Sequence, residues 1–234
     1  MTSLAGKHVV ITGGTGQLGS AVVAQLLEAG AICHVPNSHA AAPAHFPFAA
    51  HEHVRLVHNV YLADSQAVDA FYREVPEVWA SINLAGGFAS APFDKTESAS
   101  FAEMMETNVR TAFLCCRAAV RAMLGSRTQG RIVNVSARAG LDPRRGGGMV
   151  AYAASKAAVA AMTVALAEEV KGHGILVNAV APSVLDTATN RAEMPEADFT
   201  KWVGLGEAAE TIVYLASPRN RATSGAVLPL YGRA

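Results

Sequence analysis

The chain of 234 residues is 51% apolar and 16% charged, and its nineteen basic and nineteen acidic side chains leave no formal net charge. This balance describes a well-filled core and excludes a disordered chain, and without a summed field there is no general attraction to nucleic acid or to an anionic membrane surface. The length suits one compact domain spanning residues 1–234 that buries most of the surface its unfolded form exposes.

Met1 to Lys7 lacks the apolar stretch of a signal peptide, and later apolar runs are broken by Gly, Pro or charge short of a membrane span. A cytoplasmic location is expected. His8–Thr12 is a short β-branched run ending in glycines and reads as a buried strand, followed by a helix from Leu18 to Ala29 with Gly30 at its end. Ala31–Val35 and Val54–Val57 read as strands, His39 to His53 as a surface loop, Ser65–Tyr72 as a helix, and Ala80–Leu84 as a strand. One long helix is expected over Ser98–Leu124, then a strand at Arg131–Ser136, an Ala-rich helix at Tyr152–Lys171, and strands at Ile175–Val180 and Ala226–Pro229. This βαβ alternation predicts a doubly wound parallel sheet whose ligand crevice lies beyond the strand C-termini.

The chemistry-bearing motifs fall at those ends. Thr12-Gly-Gly-Thr-Gly-Gln-Leu-Gly19 joins the first strand to the first helix, where glycines let the backbone approach a pyrophosphate and the helix N-terminus favours its charge. In Tyr152-Ala-Ala-Ser-Lys156 a spacing of four puts phenol and ammonium on one helical face. A tyrosine titrating at about 10 needs such a neighbour to exchange protons near neutral pH. Cys33, Cys115 and Cys116 have no metal-ligand spacing and read as buried, reduced thiols. His39, His45, His51, His53 and His58 fall in or beside the irregular loop, and no metal is expected.

With these motifs in order, the chain resembles the short-chain dehydrogenase/reductase family over nearly its whole length. Asn83-Leu-Ala-Gly86, Asn108 in Glu106-Thr-Asn-Val109, the strand ending in serine and Asn178-Ala-Val-Ala-Pro-Ser183 supply the remaining family elements. The resemblance implies a Rossmann-type fold in three α/β/α layers and hydride transfer between a nicotinamide and a carbonyl or alcohol carbon of a small molecule. Tyr152 would be the acid/base. Lys156 would lower its pKa and hold the nicotinamide ribose, and Asn108 would support Lys156 through a water. Gly13, Thr15, Gly16, Gln17, Leu18 and Gly19 would meet the pyrophosphate, with Ala85, Gly86 and Gly87 facing them. Asn37, Ser38, Asn59 and Val60 would lie toward the adenosine, and Pro182, Val184 and Thr187 toward the nicotinamide. Pairing of the two long helices would give a homodimer or homotetramer.

Several residues depart from the family pattern. Anchoring on Ala139-Gly140 puts Ala137 where the family has its catalytic serine, so Ser136 either reaches the substrate by a register shift or caps backbone. Small residues in this stretch, with Leu84-Ala-Gly-Gly87 followed by Phe88, resemble a dihydropteridine-reductase-like subgroup acting on quinonoid rings. Gln17 stands where the common short form of the turn has glycine. No acidic residue ends the second strand, where Asn37-Ser-His39 stands, which favours NADP over NAD. The segment from Thr187 to Gly204, expected to cover the substrate, is short. A non-catalytic dinucleotide sensor would keep the turn and lose the proton chemistry; intact Tyr152 and Lys156 favour an enzyme.

Overall fold

The structure, a computed structural model, describes residues 4–233; Met1 to Ser3, part of the segment read above for a leader, lie outside the described residues. Seven runs rich in branched apolar residues form strands: β1 (His8–Thr12), β2 (Ile32–Pro36), β3 (Val54–Val57), β4 (Val78–Asn83), β5 (Arg131–Val135), β6 (Leu176–Pro182) and β7 (Val227–Leu230). They pair in parallel in the order β3-β2-β1-β4-β5-β6-β7. The connections reverse direction between β1 and β4, so the loops leaving those two strands diverge and open a crevice at their C-terminal ends. The central strands are covered on both faces, which is why Val9, Val10, Ile11, Ala80 and Ile82 are all fully buried despite pointing alternately to opposite sides.

One face is covered by α1 (Gln17–Glu28) and α8 (Leu205–Ala216), whose Val22, Leu26, Ile212 and Leu215 close over Val9, Ile11 and Ile82. The other carries α2 (Ser65–Arg73), α4 (Thr111–Ser126) and α6 (Val150–Val170), packed through Val68, Phe71, Leu114, Met123 and Val170. Removing one of these fully buried side chains, for example Leu26→Ala, costs about 2–5 kcal/mol in comparable cores. Three short helices lie among the loops at the C-terminal ends of the strands: α3 (Ser98–Met104), α5 (Arg138–Leu141) and α7 (Ala188–Glu193).

The expected architecture holds, with local corrections. Ser98–Leu124 is not one regular helix: a π-helical turn, Met105–Arg110, separates α3 from α4. The wider turn carries Asn108, which is 1% exposed, into the interior where its amide is hydrogen-bonded. The His39–His53 loop is not purely superficial, because Phe46 is buried and, edge-on to Phe48 at 5.8 Å, packs against the core. Helix α6 continues through a 3-10 turn to His173, giving 24 residues of mean hydropathy 1.5 in its apolar window, so one stretch is long and apolar enough to cross a membrane by length and composition. Here that helix lies against β5 and β6, and its apolar residues fill the layer between sheet and surface. Helices α5, α7 and α8 were not among the sequence expectations.

On the side of the sheet away from the crevice, His8 Nδ1 and His34 Nε2 are hydrogen-bonded at 2.8 Å between β1 and β2. Burial, with smaller contributions from His8 and Arg55, pushes His34 down to about 4, and burial likewise lowers His8 against the opposing pull of Glu77. A base whose folded pKa is depressed binds its proton first in the unfolded chain, so folding free energy falls as pH drops from 6.5 toward 4. Urea titrations across that window should register a loss of about 3 kcal/mol from this site, and His34→Gln should flatten the pH dependence.

Candidate active site

The turn between β1 and α1 is shaped for close backbone contact. Gly13 has φ +65°, and a Cβ there would lie 2.8 Å from the Ala85 nitrogen; a Cβ on Gly19 would come within 2.1 Å of the Gly13 carbonyl oxygen. The Thr12 hydroxyl oxygen accepts the Ala85 N–H at 3.3 Å, and the Thr12 carbonyl accepts the Leu84 N–H at 3.1 Å, so the loop after β4 is strapped across the turn. Gly16 is the N-cap of α1 and supplies no capping side chain, and no acidic residue occupies the first turn. The leading N–H groups of α1 therefore face the crevice uncapped by any carboxylate or hydroxyl, as an anionic ligand requires. His45 Nε2 donates to the Thr15 carbonyl at 3.0 Å, tying the irregular loop to the same turn.

Tyr152 and Lys156 share one face of α6 beside this strap. Lys156 is 7% exposed, and its Nζ donates to the Val135 carbonyl at 3.0 Å and lies 5.9 Å from the Tyr152 ring centre. A Cβ on Gly86 would fall 2.6 Å from Asn108 Oδ1 and 3.2 Å from Lys156 Nζ, so only glycine admits both side chains. Asn108 Oδ1 accepts the Gly87 N–H at 2.9 Å, while Nδ2 donates to the Gly87 carbonyl at 3.1 Å and to Ser155 Oγ at 3.0 Å. Phe88 stands edge-to-face with Tyr152 at 4.9 Å and is 58% exposed, forming an apolar wall next to the phenol.

Burial drives both titrations against charge. It pushes the Tyr152 phenol up to about 12 and the Lys156 ammonium down to about 8. The expected lowering of the phenol by its neighbour is thus absent: desolvation outweighs an ammonium that is itself buried and turned to a backbone carbonyl. At neutral pH the phenol holds its proton.

Of the two roles expected for Ser136, the hydrogen bonding is that of a backbone cap. Ser136 lies beyond β5, is 1% exposed, and its hydroxyl donates to the Lys156 carbonyl at 2.8 Å, so it fastens the strand end to α6. Ala137 follows as the N-cap of α5 and offers no hydroxyl. The adenosine-side residues form a separate group. Asn37 is 4% exposed, and its amide donates to the carbonyls of His39 and Ala41 at 3.1 and 2.9 Å, which commits it to loop closure and leaves Ser38 and His39 exposed. Asn59, at φ +59°, is exposed, but the Val60 side chain is packed into the core and only its backbone is available there. Pro182 ends β6, and Val184 and Thr187 follow in the segment between β6 and α8, Thr187 capping α7 by accepting the Asn190 N–H at 3.1 Å.

Sequence reasoning missed the role of the Gln17 side chain, the π-turn under Asn108 and the contact of His45 with the glycine turn. The polar run Glu106-Thr-Asn108 inside an otherwise apolar helical stretch was the readable sign of the second; the other two are contacts between residues 171 and 30 positions apart or more, with no local signature.

A sequence model described as short chain dehydrogenase matches residues 7–198. Galactitol 2-dehydrogenase of Rhizobium johnstonii is 32% identical, covering 96% of this chain and 93% of its own length. The 3-oxoacyl-[acyl-carrier-protein] reductase FabG of Vibrio cholerae is 28% identical with 98% of both chains covered. Among solved structures, ElxO with NADP bound superposes with a TM-score of 0.87 at 24% identity, over 99% of this chain and 98% of the other. The chain belongs to the short-chain dehydrogenase/reductase family and is an oxidoreductase dependent on a nicotinamide dinucleotide, acting on small molecules.

If Ser136 only fastens β5 to α6, Ser136→Ala should cost about 0.5–1.5 kcal/mol in denaturant unfolding and leave turnover within about fivefold of wild type. A serine that polarises the substrate oxygen would instead lose about 100-fold or more in kcat on removal.

Proposed function

We propose that the chain transfers hydride between NADP, in preference to NAD, and the carbonyl or alcohol carbon of a small molecule, with Tyr152 as acid/base. The observation that carries this reading is the meeting of Tyr152, Lys156, Asn108 and Gly86 where the β4 loop crosses the glycine turn, at the switch point of the sheet. The uncapped α1 N-terminus and the space that only Gly13 and Gly86 leave open fit a dinucleotide. That group, when bound, supplies or accepts the hydride at its nicotinamide ring. In the reductive direction the Tyr152 hydroxyl gives its proton to the substrate oxygen as the carbonyl carbon becomes a carbinol; in the oxidative direction the phenolate takes that proton back. Lys156 holds the ribose side of the cofactor and provides positive charge behind the phenolate, and Asn108 keeps the β4 loop and α6 in register. One domain, residues 1–234, thereby serves both binding and chemistry.

The preference for NADP is supported by the absence of a carboxylate at the end of β2, where Ser38 and His39 are exposed, and agrees with the NADP in the solved ElxO structure. Ser136, turned to backbone, and Ala137, with no hydroxyl, favour substrates whose oxygen needs little polarisation beyond the Tyr152 proton. Conjugated, quinonoid rings of the dihydropteridine kind meet that condition, and Phe88 beside the phenol suits a flat apolar ring. Fluorescence titration should give tighter binding of NADPH than of NADH. In a screen of ketones and quinonoid pterins, Tyr152→Phe should lose about 100-fold or more in kcat while still binding NADPH. Binding of neither cofactor would end this reading, and cofactor binding without any turnover would favour a sensor.

The oligomer is a homodimer or homotetramer assembled through α4 and α6, whose outer faces expose Phe113, Leu124 and Val164 at 51, 42 and 48%. Such apolar side chains are commonly covered in an assembly. Sedimentation should give a dimer or tetramer mass, and Phe113→Glu combined with Val164→Glu should shift it toward monomer; wild type sedimenting as a monomer at all concentrations would refute this. Cys33, Cys115 and Cys116 are buried and free, which suits a reducing compartment such as the cytoplasm.

A further inference from the structure

The residue that departs from the common glycine turn makes the two hydrogen bonds that, among the described residues, join helix α7 to the fold outside its own segment. Gln17 Nε2 donates to Thr189 Oγ1 at 3.0 Å, and Gln17 Oε1 accepts the Ala188 N–H at 3.0 Å. Ala188 is the first residue of α7, so its N–H is one the helix cannot satisfy internally. Thr187 caps the Asn190 N–H and Gln17 caps the Ala188 N–H, dividing the helix start between a local and a distant partner.

The rest of the covering segment is held from below. Leu185 bridges Val203, the Asp186 carboxylate receives a forked pair from Arg191 at 2.6 and 2.8 Å, Arg191 stacks over Phe199 at 4.7 Å, and the Ser183 hydroxyl donates to the Tyr231 carbonyl at 3.0 Å. These contacts make the segment a stable flap rooted at β6 and the C-terminal strand, with α7 as its free end. Gln17 is the fastening at that end. It is also the first residue of α1, so its backbone N–H belongs to the anion-facing set at the start of α1.

Resting on the nicotinamide-dependent reading above, we propose that Gln17 is a positioning residue that couples the dinucleotide turn to α7, so that filling the turn and ordering the cover over the substrate are one linked equilibrium. An anion held by the turn fixes the Gln17 backbone, a fixed backbone fixes the amide that caps α7, and by reciprocity an ordered α7 tightens the turn. Glycine at this position gives the same turn and no fastening. A carboxylate at this position keeps both bonds, accepting from Ala188 N–H and from the Thr189 hydroxyl, and sets a negative charge beside the anion site.

Hydrogen exchange at residues 188–193, with substrate KM and NADPH dissociation constants, tests the coupling in the intact enzyme. In ligand-free protein Gln17→Gly should speed exchange there by about 5- to 30-fold, the equivalent of one or two exposed hydrogen bonds. NADPH should slow exchange at 188–193 in wild type and have little effect there in Gln17→Gly, whose substrate KM should rise and whose NADPH affinity should fall by about the factor by which NADPH slows exchange in wild type. Gln17→Glu should retain the wild-type exchange of the free protein and lose NADPH affinity, separating fastening from anion binding. Equal exchange at 188–193 in ligand-free wild type and Gln17→Gly overturns the proposal whether or not any cofactor binds. Failure of NADPH to bind wild type overturns the parent reading instead, and with it the coupling, even where the ligand-free exchange differs.

Discussion

The Asn108 amide is the joint on which the site depends. Its oxygen and nitrogen grip the N–H and carbonyl of Gly87, and its nitrogen also reaches Ser155 on α6. One buried side chain therefore fixes the distance between the loop after β4 and the helix carrying Tyr152 and Lys156. The geometry works only because Gly86 has no Cβ, which would otherwise collide with Asn108 Oδ1, and because a π-turn brings Asn108 inward. A partly satisfied amide at this depth would cost more than it gave, so both of its ends are engaged.

Below this joint a second polar chain runs through the core. The Tyr72 hydroxyl meets Ser81 Oγ at 2.7 Å, Ser81 donates to Asn83 Oδ1, Asn83 donates to Asn134 Oδ1 at 2.8 Å, and Asn134 donates to Thr163 Oγ1 on α6. Strands β4 and β5 are thus locked to α2 and α6 by directional bonds where apolar packing alone would allow sliding. Since the face of α6 that carries Tyr152 and Lys156 and the β4 loop both begin at the ends of these elements, the network carries the stiffness of the sheet into the crevice.

Strands and glycine turns were legible in the sequence because their causes are local. A β-branched run ending in Gly marks β1 to the residue, the short apolar run Val54–Val57 marks β3, and a spacing of four places Tyr152 with Lys156 on one helical face. The orientation of Ser136 was not legible, since its partner is a carbonyl twenty residues away and a shift of one position exchanges it with Ala137. Nor was the use of Asn37, whose amide is claimed by a loop without regular structure. Helix α8 had a readable pattern in Ala208, Ala209, Ile212 and Leu215, with Glu207 accepting the Gly204 N–H at its start, but the lack of a side-chain N-cap at Gly204 removed the usual opening signal. The π-turn is selected by what the extra residue touches, so the polar run Glu106-Thr-Asn108 marks where the apolar helix is interrupted but not the kind of turn.

The electrostatics of the site follow from what surrounds Lys156 rather than from its spacing to Tyr152. An ammonium 7% exposed, with a backbone carbonyl for a partner and no ion pair among the described residues, is destabilised in the folded protein, and burial pushes it down to about 8. A carboxylate nearby would relieve that cost, yet it would also repel the phosphates of a dinucleotide and oppose a phenolate at Tyr152. The uncompensated cation is consistent with a place left for negative charge that arrives with the ligand and develops during the reaction. In the proposed reaction Tyr152, held protonated by the same burial, is the complementary half: a proton kept until an oxygen that needs it is set against it.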